Sequence, residues 1–242
     1  MAVAPYGSWR SPIGAELVAA GRVGLDGLWA DGDDLYWLEA RPSEGGRCVV
    51  VRYGQGDVTP PGFNVRTRVH EYGGGAYTVH RRTVYFSNFA DQRLYHGDQP
   101  ITPDNGARYA DVRITPGGGD HMACVRQMDD VNDIVDIAPD GSGEPRVIGS
   151  GHDFFSNPRF SPDGSQLCWL SWDHPNMPWD GTDLWVADLE GNVRHVAGGP
   201  AESIFQPEWS PDGPLHFVSD RSGWWNLYTE AGPITDVEAE FG

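Results

Sequence analysis

The sequence predicts an all-β protein, a β-propeller of four-stranded antiparallel blades. Three observations predict it. One phrase occurs twice, forty-nine residues apart: Pro158-Arg159-Phe160-Ser161-Pro162-Asp163-Gly164 and Pro207-Glu208-Trp209-Ser210-Pro211-Asp212-Gly213. Each copy leads into an apolar run, Leu167-Cys168-Trp169-Leu170 after the first and Leu215-His216-Phe217-Val218 after the second. No window carries a helical period longer than a few turns, the best being Gly14 to Ala20. Internal similarity at this spacing marks a repeat architecture, and a propeller blade takes about 40–50 residues.

Weaker copies lie upstream. Trp29-Ala30-Asp31-Gly32 precedes Leu35-Tyr36-Trp37-Leu38, Tyr77-Thr78-Val79-His80 precedes Val84-Tyr85-Phe86, and Ile114-Thr115-Pro116-Gly117 precedes Met122-Ala123-Cys124-Val125. The residues before the turns are 29, 77, 114, 160 and 209, which gives five repeats. In the turns, Pro presets φ, and Asp and Gly tolerate the bridge and left-handed conformations that follow. The second strands are apolar at nearly every position instead of alternating, as in strands buried on both faces. Third strands are expected at Cys48 to Arg52, Arg93 to Tyr95, Asp133 to Ile137, Asp183 to Ala187 and Asn226 to Thr229. A short fourth strand follows, as at Asn192 to Val196. The blades expected on this basis cover residues 22–62, 70–104, 107–150, 154–199 and 202–237. A β-sandwich also has short strands between turns, but it does not repeat one phrase.

Composition narrows the function. The chain has 242 residues, 32 Gly, 19 Pro and 10 Trp, with a formal charge of −18. So acidic a surface repels phosphate backbones, so no nucleic-acid partner is expected. There is no long apolar run and no basic-then-apolar leader, so no membrane partner is expected. All 17 basic residues are Arg. Without Lys this segment holds neither a P-loop nor a Schiff base. Cys48, Cys124 and Cys168 sit in apolar strand-like runs and read as buried thiols, which points to a reducing, cytoplasmic setting.

Motifs that carry chemistry are missing. There is no Gly-x-Ser-x-Gly, no Cys-x-x-Cys and no His-Glu-x-x-His, so no catalytic residue, cofactor or metal is expected here. Asp129-Asp130-Val131-Asn132-Asp133 lacks the Gly and Glu of a calcium loop and reads as a hairpin tip, and Asp31-Gly32-Asp33-Asp34 as a hairpin turn. Asp220 to Asn226 reads as a hairpin ending in core aromatics. Two loops are unusual. Arg66-Thr67-Arg68-Val69-His70-Glu71-Tyr72-Gly73-Gly74-Gly75 gathers charged and aromatic groups beside glycines that allow close backbone approach. Trp172-Asp173-His174-Pro175-Asn176-Met177-Pro178-Trp179-Asp180 places large apolar side chains in a connection. Such a loop is either folded onto the domain or used as a contact surface.

Taken together the chain resembles the N-terminal propeller of the prolyl oligopeptidase family of serine peptidases, nearest its acylaminoacyl-peptidase and dipeptidyl-aminopeptidase branch. The residues that carry the likeness are Tyr6-Gly7-Ser8-Trp9-Arg10-Ser11-Pro12-Ile13, Val69 to Gly75, Val84-Tyr85-Phe86-Ser87-Asn88, Trp172 to Trp179, Ser210-Pro211-Asp212-Gly213, and Ser219-Asp220-Arg221-Ser222-Gly223-Trp224-Trp225-Asn226-Leu227-Tyr228. The resemblance implies a seven-bladed propeller that covers an α/β-hydrolase domain with a Ser-Asp-His triad and admits short peptides. This sequence offers five of those repeats and no hydrolase motif, so the expected partners are a peptide substrate, a C-terminal hydrolase domain and further blades. An open arc exposes apolar faces, and self-association into a homo-oligomer is one way to cover them. The expected role is substrate gating. His70, Glu71 and Tyr72 would offer polar contacts to a peptide, and Trp172, His174 and Trp179 would wall the entrance. Two other readings stand beside it. One is a free-standing TolB-like scaffold that binds protein or small-molecule partners. The other is a five-bladed glycosidase, which needs two carboxylates facing one cavity.

Overall fold

The structure, a computed structural model, describes residues 5–8, 10–19 and 21–242. Trp9 of the Tyr6–Ile13 phrase and Ala20 of the expected helical stretch lie outside the described residues. One short helix, α1 (Ala15–Ala19), precedes the strands. The strands form five four-stranded antiparallel sheets, each ordered first to fourth in sequence. The first holds β1 (Gly24–Asp31), β2 (Asp34–Arg41), β3 (Arg47–Arg52) and β4 (Gly56–Asp57). The second holds β5 (Tyr77–His80), β6 (Thr83–Ser87), β7 (Leu94–His96) and β8 (Gln99–Pro100). The third holds β9 (Arg108–Ile114), β10 (Met122–Met128), β11 (Val131–Ile137) and β12 (Arg146–Gly149). The fourth holds β13 (Phe154–Phe160), β14 (Gln166–Trp172), β15 (Asp183–Asp188) and β16 (Val193–Gly198). The fifth holds β17 (Ile204–Trp209), β18 (Leu215–Ser219), β19 (Asn226–Thr229) and β20 (Gly232–Pro233). This is the expected all-β blade architecture.

The repeated turns close as their residues dictate. Gly164 donates its N–H to the Ser161 carbonyl at 2.8 Å, and Gly213 does the same to Ser210 at 2.9 Å. Both glycines have positive φ, 73° and 105°. In the first turn the Asp163 carboxylate accepts from the Ser161 hydroxyl at 2.6 Å and from the Ser165 amide at 3.0 Å. These bonds hold its pKa down, to about 2. The second unit departs from the expected phase. Tyr77 opens β5 instead of closing it, because β5 is only four residues long, and its last residue is His80.

First strands approach one another in sequence order, β1 to β5, β5 to β9, β9 to β13 and β13 to β17, so they are the inner strands. Four hydrophobic clusters fill the four junctions between consecutive sheets. Trp169, Phe155 and Val125 hold the third and fourth sheets together. Leu184, Ile204 and Phe217 hold the fourth and fifth. Among the described residues no cluster joins the first sheet to the fifth. The consequence shows in the second strands. β14 is buried at every position after its first, whereas β2 has a single buried residue, Tyr36. On the uncovered side of the first sheet, Leu28 is 74% exposed. The apolar run at Leu35 to Leu38 was expected to be buried on both faces and is not, because one face has no neighbouring sheet. The Asp220–Asn226 hairpin also differs from expectation. Trp224 is exposed and Trp225 half-buried; the buried residue there is Asn226, whose side chain bonds to the backbone of Trp224 and Val237.

Junction packing sets stability. Leu184→Ala in the fourth junction should cost roughly 2–5 kcal/mol. Leu28→Ala on the open face should stay within about 0.5 kcal/mol of the parent. Urea unfolding of both variants checks the contrast, and equal losses would show that the first sheet is covered in solution.

Candidate functional site

In a blade, the turns between first and second strands and between third and fourth strands lie at one end. The turns between second and third strands and the crossovers to the next blade lie at the other. Both unusual loops are at the second end. Residues 58–76 form the crossover from β4 to β5, and residues 173–182 join β14 to β15.

The first loop does not stay with its own blade. Val69 is fully buried among Ala123, Val125, Ile134 and Phe155, in the junction of the third and fourth sheets. The His70 amide donates to the Gln127 side chain at 3.0 Å. Glu71 pairs with Arg108, which also donates to the Arg68 carbonyl at 3.0 Å. His70 and Glu71 both have positive φ, 54° and 66°. Such residues are uncommon outside glycine. The bend they make carries the loop across the third blade and drops Val69 into the core.

The second loop is sutured on both sides. Asp173 accepts from the Asp153 amide at 2.6 Å and lies 2.8 Å from His152 Nδ1. Asp153 in turn accepts from the His174 amide at 2.9 Å and lies 3.0 Å from His174 Nδ1. These bonds, the His174 amide first, lower the Asp153 pKa. On the other side Ser203 donates to the Pro178 carbonyl at 2.6 Å and Asn176 to the Pro200 carbonyl at 3.0 Å. A Cβ on Gly181 would meet the Gly199 carbonyl at 2.6 Å, so glycine is required there. The loop is folded onto the domain and still leaves Trp179 61% exposed and Met177 45% exposed.

Three of the six expected site residues meet around Phe154, and Tyr72 joins them through His70. Trp172 stacks on Phe154 with ring centres 5.4 Å apart, His174 lies 4.9 Å from it, and His70 meets it edge-on at 5.2 Å. Tyr72 lies against His70 at 5.7 Å and is largely exposed. Trp172, placed in the loop by the sequence, is the buried last residue of β14. Its other neighbours are Trp179, Phe205 and Trp225, which wall an apolar cavity of about 360 Å³. Glu71 is apart from this cluster, turned to Arg108. Nothing in the loop sequences singles out Phe154, Asp153, Asp173 or Arg108; the first strand's opening aromatic was the one available signal.

The cluster offers rings and few charges. Burial lowers the His70 pKa, against a smaller opposing pull from Asp111. Its Nε2 is buried and has no hydrogen-bond partner among the described residues. The imidazole is therefore neutral at pH 7. Among the described residues no serine hydroxyl is hydrogen-bonded to a histidine, and no group of three His, Cys, Asp or Glu is placed to hold a metal. The arrangement suits contact with an apolar or aromatic group.

A neutral buried histidine gives a pH signature. The unfolded state binds a proton at about the ordinary histidine value of 6.5 and the folded state binds it at lower pH. The contribution is therefore present above pH 6.5 and lost as the pH falls below it. Between pH 7.5 and 5.5 the melting temperature of His70→Phe should fall less than that of the parent. Parallel slopes would show that His70 is already solvated or charged.

No family model and no curated protein sequence matches the chain. Solved structures do. It is 38% identical to a puromycin-hydrolyzing peptidase of Mycobacterium tuberculosis, with a TM-score of 0.89, over 100% of this chain and 42% of that one. A puromycin hydrolase is 36% identical with a TM-score of 0.84, over 95% of this chain and 40% of that one. A variant of that hydrolase complexed with PGG is 35% identical with a TM-score of 0.88, over 99% of this chain and 43% of that one. The chain thus spans about two-fifths of the length of these structures. An oligogalacturonate lyase of Vibrio parahaemolyticus, at 15% identity and a TM-score of 0.56, shares the fold alone. Whole-length likeness at this identity, on five four-stranded sheets whose first strands adjoin in sequence order, makes the chain a propeller portion of the prolyl oligopeptidase family.

Proposed function

We propose that this chain is the substrate-facing part of the propeller of a serine peptidase acting on short peptides or aminoacyl compounds, of aminopeptidase or acylaminoacyl-peptidase type. The observation that carries the reading is the 35–38% identity to puromycin-hydrolysing structures across nearly all of the chain. Puromycin is an aminoacyl nucleoside, and its hydrolysis at the amide releases an aromatic amino acid. An aromatic-walled mouth is a fitting surface for such a group. In this reading the chemistry belongs to an α/β-hydrolase domain, and the propeller limits what reaches it.

The rings have separate duties here. Phe154, Trp172 and His70 form a packed floor. Tyr72 and Trp179 are exposed above it and contact the substrate or the hydrolase domain. Glu71 holds Arg108 and so fixes the turn that presents Tyr72. Three unpaired thiols, at Cys48, Cys124 and Cys168, accord with a cytoplasmic setting.

The test has two arms. The isolated chain should not hydrolyse puromycin or aminoacyl chromogenic substrates and should not be labelled by a fluorophosphonate. The polypeptide encoded by the complete reading frame that contains the chain should do both. In that polypeptide, Trp179→Ala should raise KM or lower kcat by roughly tenfold, the effect of losing one aromatic contact. Unchanged kinetics with a lowered melting temperature would make Trp179 structural, and an inactive, unlabelled complete protein would overturn the peptidase reading.

A further inference from the structure

The opposite end of the inner strands carries a second constellation. Four inner strands, β1, β9, β13 and β17, contain a register shift, and each shift holds a residue with positive φ: Gly27, Asp111, Asn157 and Gln206. A bulge of this kind re-aims the side chains that follow it. Two residues beyond each bulge stand Trp29, Arg113, Arg159 and Glu208. These four wall one cavity of about 340 Å³, with Phe160 beside them. One repeated backbone device therefore points an aromatic ring and three charges at the same space.

The charges there do not balance. Arg159 and Glu208 pair at 2.7 Å. Among the described residues Arg113 has no carboxylate within ion-pair distance. Its Nη1 donates to the neighbouring Val112 carbonyl at 2.8 Å, and its guanidinium carbon lies 4.8 Å from the centre of the Trp29 ring. The nearby Asp111 is engaged, since its Oδ1 accepts from the Gly75 amide at 2.6 Å. Burial, with Arg159 close by, pulls the Arg113 pKa down to about 10. The group is still a cation at neutral pH, held in a place that disfavours its charge. A ring face offsets only part of that cost, and an arriving anion would offset more.

We propose that Arg113, flanked by Trp29 and Arg159, is a recognition point for the free C-terminal carboxylate of a short peptide in the propeller channel. The proposal rests on the peptidase reading for the choice of a peptide. The chemistry favours a carboxylate. A planar guanidinium matches a carboxylate with two parallel donors, and one unpaired cation suits one negative charge. The surrounding chain, at −18, disfavours a polyanion. Trp29 and Phe160 beside the charge suit an apolar last side chain. β13 runs from Phe154 at the aromatic mouth to Phe160 at this cavity. That is about 20 Å of extended chain, so a peptide anchored here reaches toward the other end of the channel.

The test uses the chain as it stands. The Trp29 indole N–H resonance, assigned with Trp29→Phe, is followed while acetyl-Gly-Phe, its C-terminal amide or inorganic phosphate is added. The free acid should shift it saturably, and the amide should bind at least roughly tenfold more weakly, the loss expected for a charge-assisted bidentate contact. Arg113→Met should weaken the acid by a similar factor and leave the amide unchanged. The acid–amide comparison on the parent protein needs no variant, so the proposal stays testable if Arg113→Met does not fold. Equal affinity for acid and amide, no binding of either, or tighter binding of phosphate than of the acid would overturn it. Peptide-acid binding alongside an inactive complete protein would sink the peptidase reading and leave the carboxylate site standing. An active complete protein without acid–amide discrimination would do the reverse.

Discussion

Face-to-face burial of the sheets is the constraint on which the rest depends. A four-stranded antiparallel sheet of this size has too little of its own interior to be stable alone. Here each junction supplies the missing core, with Trp169, Tyr109, Phe86 and Phe217 among the largest fully enclosed side chains. Stability of this kind is a sum over neighbours. It fixes where apolar residues must go, and it explains why β14 is enclosed while β2, the same element in a blade with one neighbour, is not.

That constraint leaves the inner strands and the crossovers free to carry function, and both are shaped by residues in unusual backbone conformations. The bulges at Gly27, Asp111, Asn157 and Gln206 aim Trp29, Arg113, Arg159 and Glu208 at one cavity. The His70–Glu71 bend sends a crossover over the third blade and anchors it by Val69. Each departure from regular geometry costs free energy locally, and in each case a neighbour holds it in place: the Gly75 amide on Asp111, the Gln127 side chain on the His70 amide. The strain is concentrated where side chains must converge from different blades.

What could be read from the sequence follows the range of the interactions. The Ser-Pro-Asp-Gly turns were legible because each is closed by its own residues, Gly164 to Ser161 and Gly213 to Ser210. The third strand at Asn226 to Thr229 was legible because turn chemistry brackets it on both sides. The second repeat slipped in phase because an aromatic at Tyr77 mimics the end of an inner strand that β5 is too short to contain. The bulges were hidden because hydrogen-bond register leaves no compositional mark; in hindsight, Asn157-Pro158 and Gln206-Pro207 place a residue that cannot continue the ladder just after the shift. Phe154 was hidden for a different reason. Its partners His70 and Trp172 come from separate parts of the chain, and only the circular stacking of blades makes them neighbours.

The same logic explains why the two unusual loops differ in kind. The His70 loop is held by a hydrophobic anchor, Val69, and its exposed residue, Tyr72, stands on a half-buried neutral imidazole. The Trp172 loop is held by reciprocal Asp–His pairs and by backbone bonds to the next crossover. Its exposed residue, Trp179, stands over an apolar cavity that also touches Phe205 and Trp225. The first support depends mainly on packing, with one exposed ion pair, Glu71–Arg108, beside it. The second depends on partly exposed polar and charged groups, whose interactions salt screens. The two sides of one mouth thus rest on different physics. A fall in pH works against the Tyr72 side through His70, whose imidazole burial holds neutral, while Val69 keeps that loop in place as long as the junction between the third and fourth blades is intact.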